Sequence, residues 1–261
     1  MTQNESSQAP LNRPLTTGID RGAAFTGTAG NDRFVGNTAA GATALTALDA
    51  LDGGAGTDTL EITDTTSIDT TLATGATVTG IENVVLTSNG AITANTTAWT
   101  GSTSVTSLGG TTNLTAAATT NVSATATGNV TVTGGAAIVA ATAASDLTIS
   151  DAAGAVTASV SGQAAKNITI DGGTSVAVSS TGNVLGAAGT AKISVGSTTA
   201  PTGAVSVAVS GNYTDGGNAE IGAITVKGGS TVSVTQTTGI TAAEATTAVK
   251  IGRASCRERV S

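Results

Sequence analysis

The chain has 261 residues, a formal charge of −7, 10% charged and 39% hydrophobic residues, 2% aromatics, 35 glycines and no histidine. That balance lacks the basic footprint nucleic acid requires, and no apolar run approaches the roughly 20 residues that span a bilayer. Without histidine there can be no Ser-His-Asp triad, Cys-His pair or HExxH zinc site. The acids beyond Glu82 are scattered singly and few aromatics remain to stack on sugars, so glycosidase chemistry is not expected either. The chain reads as a non-enzyme.

The interior must be built from small and β-branched side chains, because Ala, Thr, Val and Ser dominate where large aromatic side chains normally supply buried area. Such side chains suit a narrow interior between stacked strands. The expected fold is all-β, an elongated parallel β-solenoid, with an elongated β-sandwich as the alternative.

In chain order, residues 1–24 read as a polar arm in which Pro10 and Pro14 discourage regular structure. This start has neither a basic region nor an apolar core, so it is not a signal peptide of the usual kind.

Residues 25–69 are rich in glycine and aspartate. Gly53, Gly54, Ala55, Gly56, Thr57, Asp58, Thr59, Leu60 and Glu61 match the nonapeptide G-G-x-G-x-D-x-U-x, in which U is a large apolar residue. Ca²⁺ takes six to eight oxygens, so several must be backbone carbonyls turned inward, and glycines permit that turn. Asp58 would supply the anionic oxygen and Leu60 would enter the core as a strand begins.

A weaker copy runs from Gly27 to Val35, with Thr28 in place of the second glycine and Asp32 in place of Asp58. The expected ligand positions are therefore Gly27, Ala29, Asn31, Asp32, Asp52, Gly53, Ala55, Thr57 and Asp58, with Asp49 as a further carboxylate. The copies begin 26 residues apart, eight more than two nonapeptides, which predicts an insertion between them and leaves their pairing a hypothesis. Among the neighbouring acids, those outside the motif read as a solvated face.

Residues 70–250 read as short strands. Val122, Val130, Ile138 and Leu147 are spaced by 8, 8 and 9 residues, as are Ile168, Val176, Val184 and Ile193, and again Ile224, Val232, Ile240 and Val249. Alternation in segments such as "NVTVTG" and "VSVAVSG" gives these strands one buried face. Asn113, Asn121, Asn129, Asn167 and Asn183 each precede an apolar residue, which predicts corners using left-handed Asn. Lys166 and Lys192 read as guards of exposed strand edges, and the single Trp99 as filler of a wider part of the core.

Residues 251–261, "IGRASCRERVS", break from this composition and match the translation of a sequencing-library adapter. They are expected to be an artefact, which removes Cys256 and with it any thiol chemistry. The natural chain is expected to continue past Lys250.

The run from "TGTAGNDRFVGN" through "LDGGAGTDTLEI" to "GIENVVLTSNGAITANT" resembles the RTX-type surface-layer (S-layer) proteins of alphaproteobacteria such as Caulobacter, over Thr26 to Lys250. The resemblance implies a secreted, extracellular, Ca²⁺-dependent cell-surface protein, exported by type I secretion and self-associating into a two-dimensional lattice. A cell-surface polysaccharide would be met through regions outside this chain. An RTX-type adhesin or biofilm matrix protein is the alternative.

Overall fold

A computed structural model of the chain describes residues 9–38, 44–73, 75–143, 145–162, 166–181, 192–214, 223–241 and 255–256. Anchors Val184 and Val249 and the corner residue Asn183 lie outside them. The described residues form strands, with 3-10 turns at Ala23–Phe25 and Thr70–Leu72. None of their helices is long and apolar enough to cross a membrane. The chain divides into two compact units, 1–123 and 124–261.

The first unit contains β1 (Asn12–Pro14), β2 (Arg33–Thr38), β3 (Ala50–Asp52), β4 (Thr59–Asp64), β5 (Ser67–Asp69), β6 (Thr77–Thr79), β7 (Asn83–Ser88), β8 (Ala91–Asn95), β9 (Ser104–Gly109) and β10 (Thr111–Ala116). Strands β1-β2-β4-β7-β9 lie side by side as one wall, β5-β8-β10 as a second, and β3-β6 as a third. Pairing is parallel, as in Arg33↔Thr59↔Asn83↔Ser104, so each coil lays its strand on the previous one. Parallel pairing of strands from successive coils makes this a β-solenoid and excludes the hairpin-connected sandwich.

The strand pattern follows from alternation. In β4 the residues Leu60, Ile62 and Asp64 turn inward and are buried, while Thr59, Glu61 and Thr63 stay partly exposed. Phe34, Leu60, Val84 and Val105 are neighbours in register, each at most 1% exposed. The third wall widens the interior, and there Leu51 pairs with Val78. Thr79 bridges Thr100, which brings Trp99 level with Val78 and buries it as expected of a wider core.

The stretch read as an arm takes part in this coil from Leu11 onward. Arg33 N–H donates to Leu11 O and Leu15 N–H to Val35 O, each over 2.8 Å. Proline is tolerated here because β1 is an edge strand, where one row of backbone groups needs no partner.

The division between units falls within β11 (Asn121–Ala126). The second unit contains β12 (Val130–Gly134), β13 (Ile138–Ala143), β14 (Leu147–Ala152), β15 (Ala155–Ser161), β16 (Ile168–Gly172), β17 (Ser175–Thr181), β18 (Lys192–Val195), β19 (Val205–Thr214), β20 (Ala223–Val226) and β21 (Val232–Thr241), with β22 (Ser255–Cys256) paired to β20. Odd-numbered strands β13 to β21 form one wall and even-numbered strands β12 to β20 the other. The spaced anchors Val130, Ile138 and Leu147 alternate between the walls and are buried, whereas Val232 and Ile240 share the long strand β21, so the 8-8-9 spacing does not mark separate strands there.

Three expectations need correction. Asn113 lies inside β10 rather than at a corner. Among the described residues Asp151 alone of the non-glycines has positive φ, so the Asn corners are not left-handed. Asn129 acts instead by accepting the N–H of Asp146 in the next coil, at 3.2 Å. Lys192 opens β18, which is flanked on both sides by β16 and β20 and is therefore not a sheet edge.

Candidate metal centre

The two glycine turns stand one directly above the other. Gly27 N–H donates to Asp52 O, Gly53 N–H to Thr79 O, and Gly80 N–H to Thr100 O, so Gly27, Gly53 and Gly80 open the same corner of three successive coils. The 26 residues between the first two are thus one complete coil, not two nonapeptides with an insertion. The third wall is what lengthens it: β3, which ends one residue before Gly53, lies within that interval.

Glycine is required at this corner. A Cβ on Gly53 would collide with the carbonyl oxygen of Gly80 and come within 2.6 Å of Asp58 Oδ2; one on Gly27 would meet Gly53 O and Asp32 Oδ2 in the same way. The coils therefore approach backbone to backbone, with a carboxylate oxygen against each glycine Cα.

A ladder of carboxylates runs beside the glycines. Leu11 N–H donates to Asp32 Oδ1 at 2.5 Å, Asp32 N–H to Asp58 Oδ1 at 2.7 Å, and Asp58 N–H to Glu82 Oε2 at 2.7 Å. Each acid thus satisfies an amide of the preceding coil. Glu82 and Gly80 were not singled out from the sequence as site residues. Their signal is positional: in "GIENVV" they precede β7 as Gly53 and Asp58 precede β4, but with the spacer cut from four residues to one.

The turns differ in how the remaining carboxylate oxygen is treated. In the first, Thr28 donates its backbone N–H to Asp32 Oδ2 and its hydroxyl lies 3.1 Å from both oxygens, so Asp32 is fully engaged. In the second, Gly54 takes the place of Thr28. Its φ is +86°, it has no hydroxyl, and its N–H goes to Asp52 Oδ1 at 3.1 Å. Asp58 is 0% exposed and its Oδ2 has no hydrogen-bond partner.

Burial raises the Asp58 carboxyl above its ordinary pKa. The amide of Asp32 opposes that rise, while the negative charges of Glu82, Asp32 and Asp52 reinforce it. An unsatisfied, buried anionic oxygen among three more acids is costly unless a cation answers it.

The other expected ligands distribute unevenly. Asn31 Oδ1 accepts the N–H of Thr57 at 2.9 Å, and Thr28 O that of Ala55 at 3.1 Å. The Asn31 side chain and the Thr28 carbonyl thus tie the second turn to the first, while Ala29 is exposed. Because a trans peptide sets its C=O opposite its N–H, the carbonyls of Gly54 and Gly56 face away from the first turn. Gly54 O accordingly lies on the side of Gly80, as does Asp52 Oδ1.

The donors on that side suit a hard cation: Asp58 Oδ2, the exposed Asp52 carboxylate, and backbone oxygens of the Gly53–Asp58 turn. Among the described residues no three Asp, Glu or Cys side chains converge as a ready metal cluster, so backbone oxygens would have to supply much of the shell.

Asp49 belongs elsewhere. It is 1% exposed, accepts Asp20 N–H at 2.8 Å and Thr46 N–H at 2.6 Å, and forms a second carboxylate ladder with the equally buried Asp20. Asp64 is also buried, at 5%, its Oδ1 accepting Thr66 N–H at 2.6 Å. Neither is the solvated acid expected, because a tight corner needs acceptors for its inward amides.

Neither protein-family models nor curated proteins match this chain.

Proposed function

We propose that the chain is a structural, calcium-dependent protein of a bacterial surface layer, secreted by a type I system and assembling with its own copies into a two-dimensional lattice. The observation that supports this reading is the buried, unpartnered Oδ2 of Asp58 in a turn whose second glycine removes the amide cap. Asp58 would hold the ion, with Asp52 and carbonyls of the Gly53–Asp58 turn completing the shell. Bound there, Ca²⁺ supplies positive charge to a corner carrying Asp32, Asp52, Asp58 and Glu82, and so ties two coils together. The role is mechanical rather than catalytic.

Calorimetric titration of the chelator-stripped chain with Ca²⁺, followed by electron microscopy, tests the reading. Heat of uptake with sheets forming in calcium supports it. Uptake without sheets, and monomers that adhere to cells, would replace the lattice with the adhesin reading. Absence of any heat would overturn the calcium assignment.

A further inference from the structure

The outward face of the β13-β15-β17-β19-β21 wall carries no charge. Val139, Thr157, Ala177, Ser206 and Ser233 stand in one column across the five strands. The column two residues on is centred on Ser179 and Ala208, both exposed, and the next runs through Thr181 and Ser210. All fifteen positions of these three columns are Ala, Ser or Thr except Val139, which is 53% exposed. A solvated protein surface normally has a quarter to a third of its positions charged.

The other walls are not like this. The corresponding wall of the first unit carries the Arg33–Glu61 pair, 2.6 Å apart, and the opposite wall of the second unit carries the exposed Lys192. Those two walls thus each display charge where this face displays none.

We propose that this face docks against the same face of a second copy of the chain. A chain of charge −7 repels its copies wherever acids are displayed, and here it displays none. The columns offer no aromatic ring to stack on a sugar and no ionic group to hold a charged ligand or lipid headgroup. Small side chains let two sheets approach closely, and the hydroxyls bond across the contact or through trapped water. Five strands at about 4.8 Å and six residues at about 3.3 Å give roughly 500 Å² per copy. Two such faces bury about 1,000 Å², the lower bound for a specific contact, which suits a weak junction repeated many times.

The inference deepens the self-association in the proposed function and is separable from its calcium assignment. Sedimentation velocity of the full chain in calcium should show concentration-dependent association that the pair Ser179→Lys and Ala208→Lys weakens at least tenfold, while Ser194→Lys on the opposite wall does not. In a Cys256→Ser background, maleimide labelling of Ser179→Cys should slow with rising protein concentration, and labelling of Ser194→Cys should not. An unchanged thermal melt keeps the lysine result interpretable. Association that survives both lysines, with Ser179→Cys equally reactive at all concentrations, overturns this face and leaves the lattice reading standing. A chain that stays monomeric overturns both. Loss of calcium heat with association intact overturns only the metal assignment.

Discussion

The turn Gly27–Asp32 and the turn Gly53–Asp58 occupy the same corner of adjacent coils, each close against the glycine turn of the next coil, and end on aspartates that are 2% and 0% exposed. They differ at one decisive place. Thr28 spends its amide and hydroxyl on Asp32, whereas Gly54 turns its amide to Asp52 and leaves Asp58 with a bare oxygen. The degenerate repeat is therefore self-closed: the amide and hydroxyl of Thr28 give Asp32 the cap that Asp58 lacks.

The corner itself is the most sensitive position. Gly53→Ala must displace the Gly80 carbonyl, so it should cost about 3 kcal/mol or more and lower the first unit's melting temperature whether or not calcium is present, read by circular dichroism in chelator and in Ca²⁺. Asp58→Asn should act only through the ion. At calcium 100 times its dissociation constant the wild-type chain gains about 2.7 kcal/mol by mass action, and the variant should lose that gain. In chelator the variant should melt no lower than wild type, because it removes a buried charge while keeping an oxygen for Asp32 N–H.

Thr28→Gly sharpens the contrast in the other direction. It removes the hydroxyl cap from Asp32, and calorimetry should show the calcium stoichiometry of this corner rising from one ion to two. The smallest effect belongs to Asp146→Asn. Asp146 is only half-buried and caps Asn167 N–H at 2.8 Å, so its replacement should leave the calcium-induced thermal shift unchanged.

Much of this was readable in the chain before its structure. Alternation in "AVTASVS" becomes the strict exposed-buried rhythm of β15, and Leu60 enters the core two residues after Asp58 as the nonapeptide requires. The stacking of the turns was hidden because spacing along the chain reports coil length, not register. A 26-residue interval looks like an insertion until a third wall is known to lengthen the coil. Glu82 was hidden for a related reason: it replaces an aspartate in a shortened turn, and only the bond to Asp58 N–H reveals the equivalence. The burial of Asp49 was hidden because solvation of an acid depends on which amides lie beneath it, here those of Asp20 and Thr46.

Trp99 is the only tryptophan in the chain, and the residue after it accepts the amide of Gly80, the glycine on which the Gly53–Asp58 turn rests. Its indole is buried level with Val78, which pairs in turn with Leu51, just before the turn that bears the carboxylate with the bare oxygen. The molecule thus carries a native optical gauge: any ion that draws those coils together alters the surroundings of a single fluorophore, with no label attached.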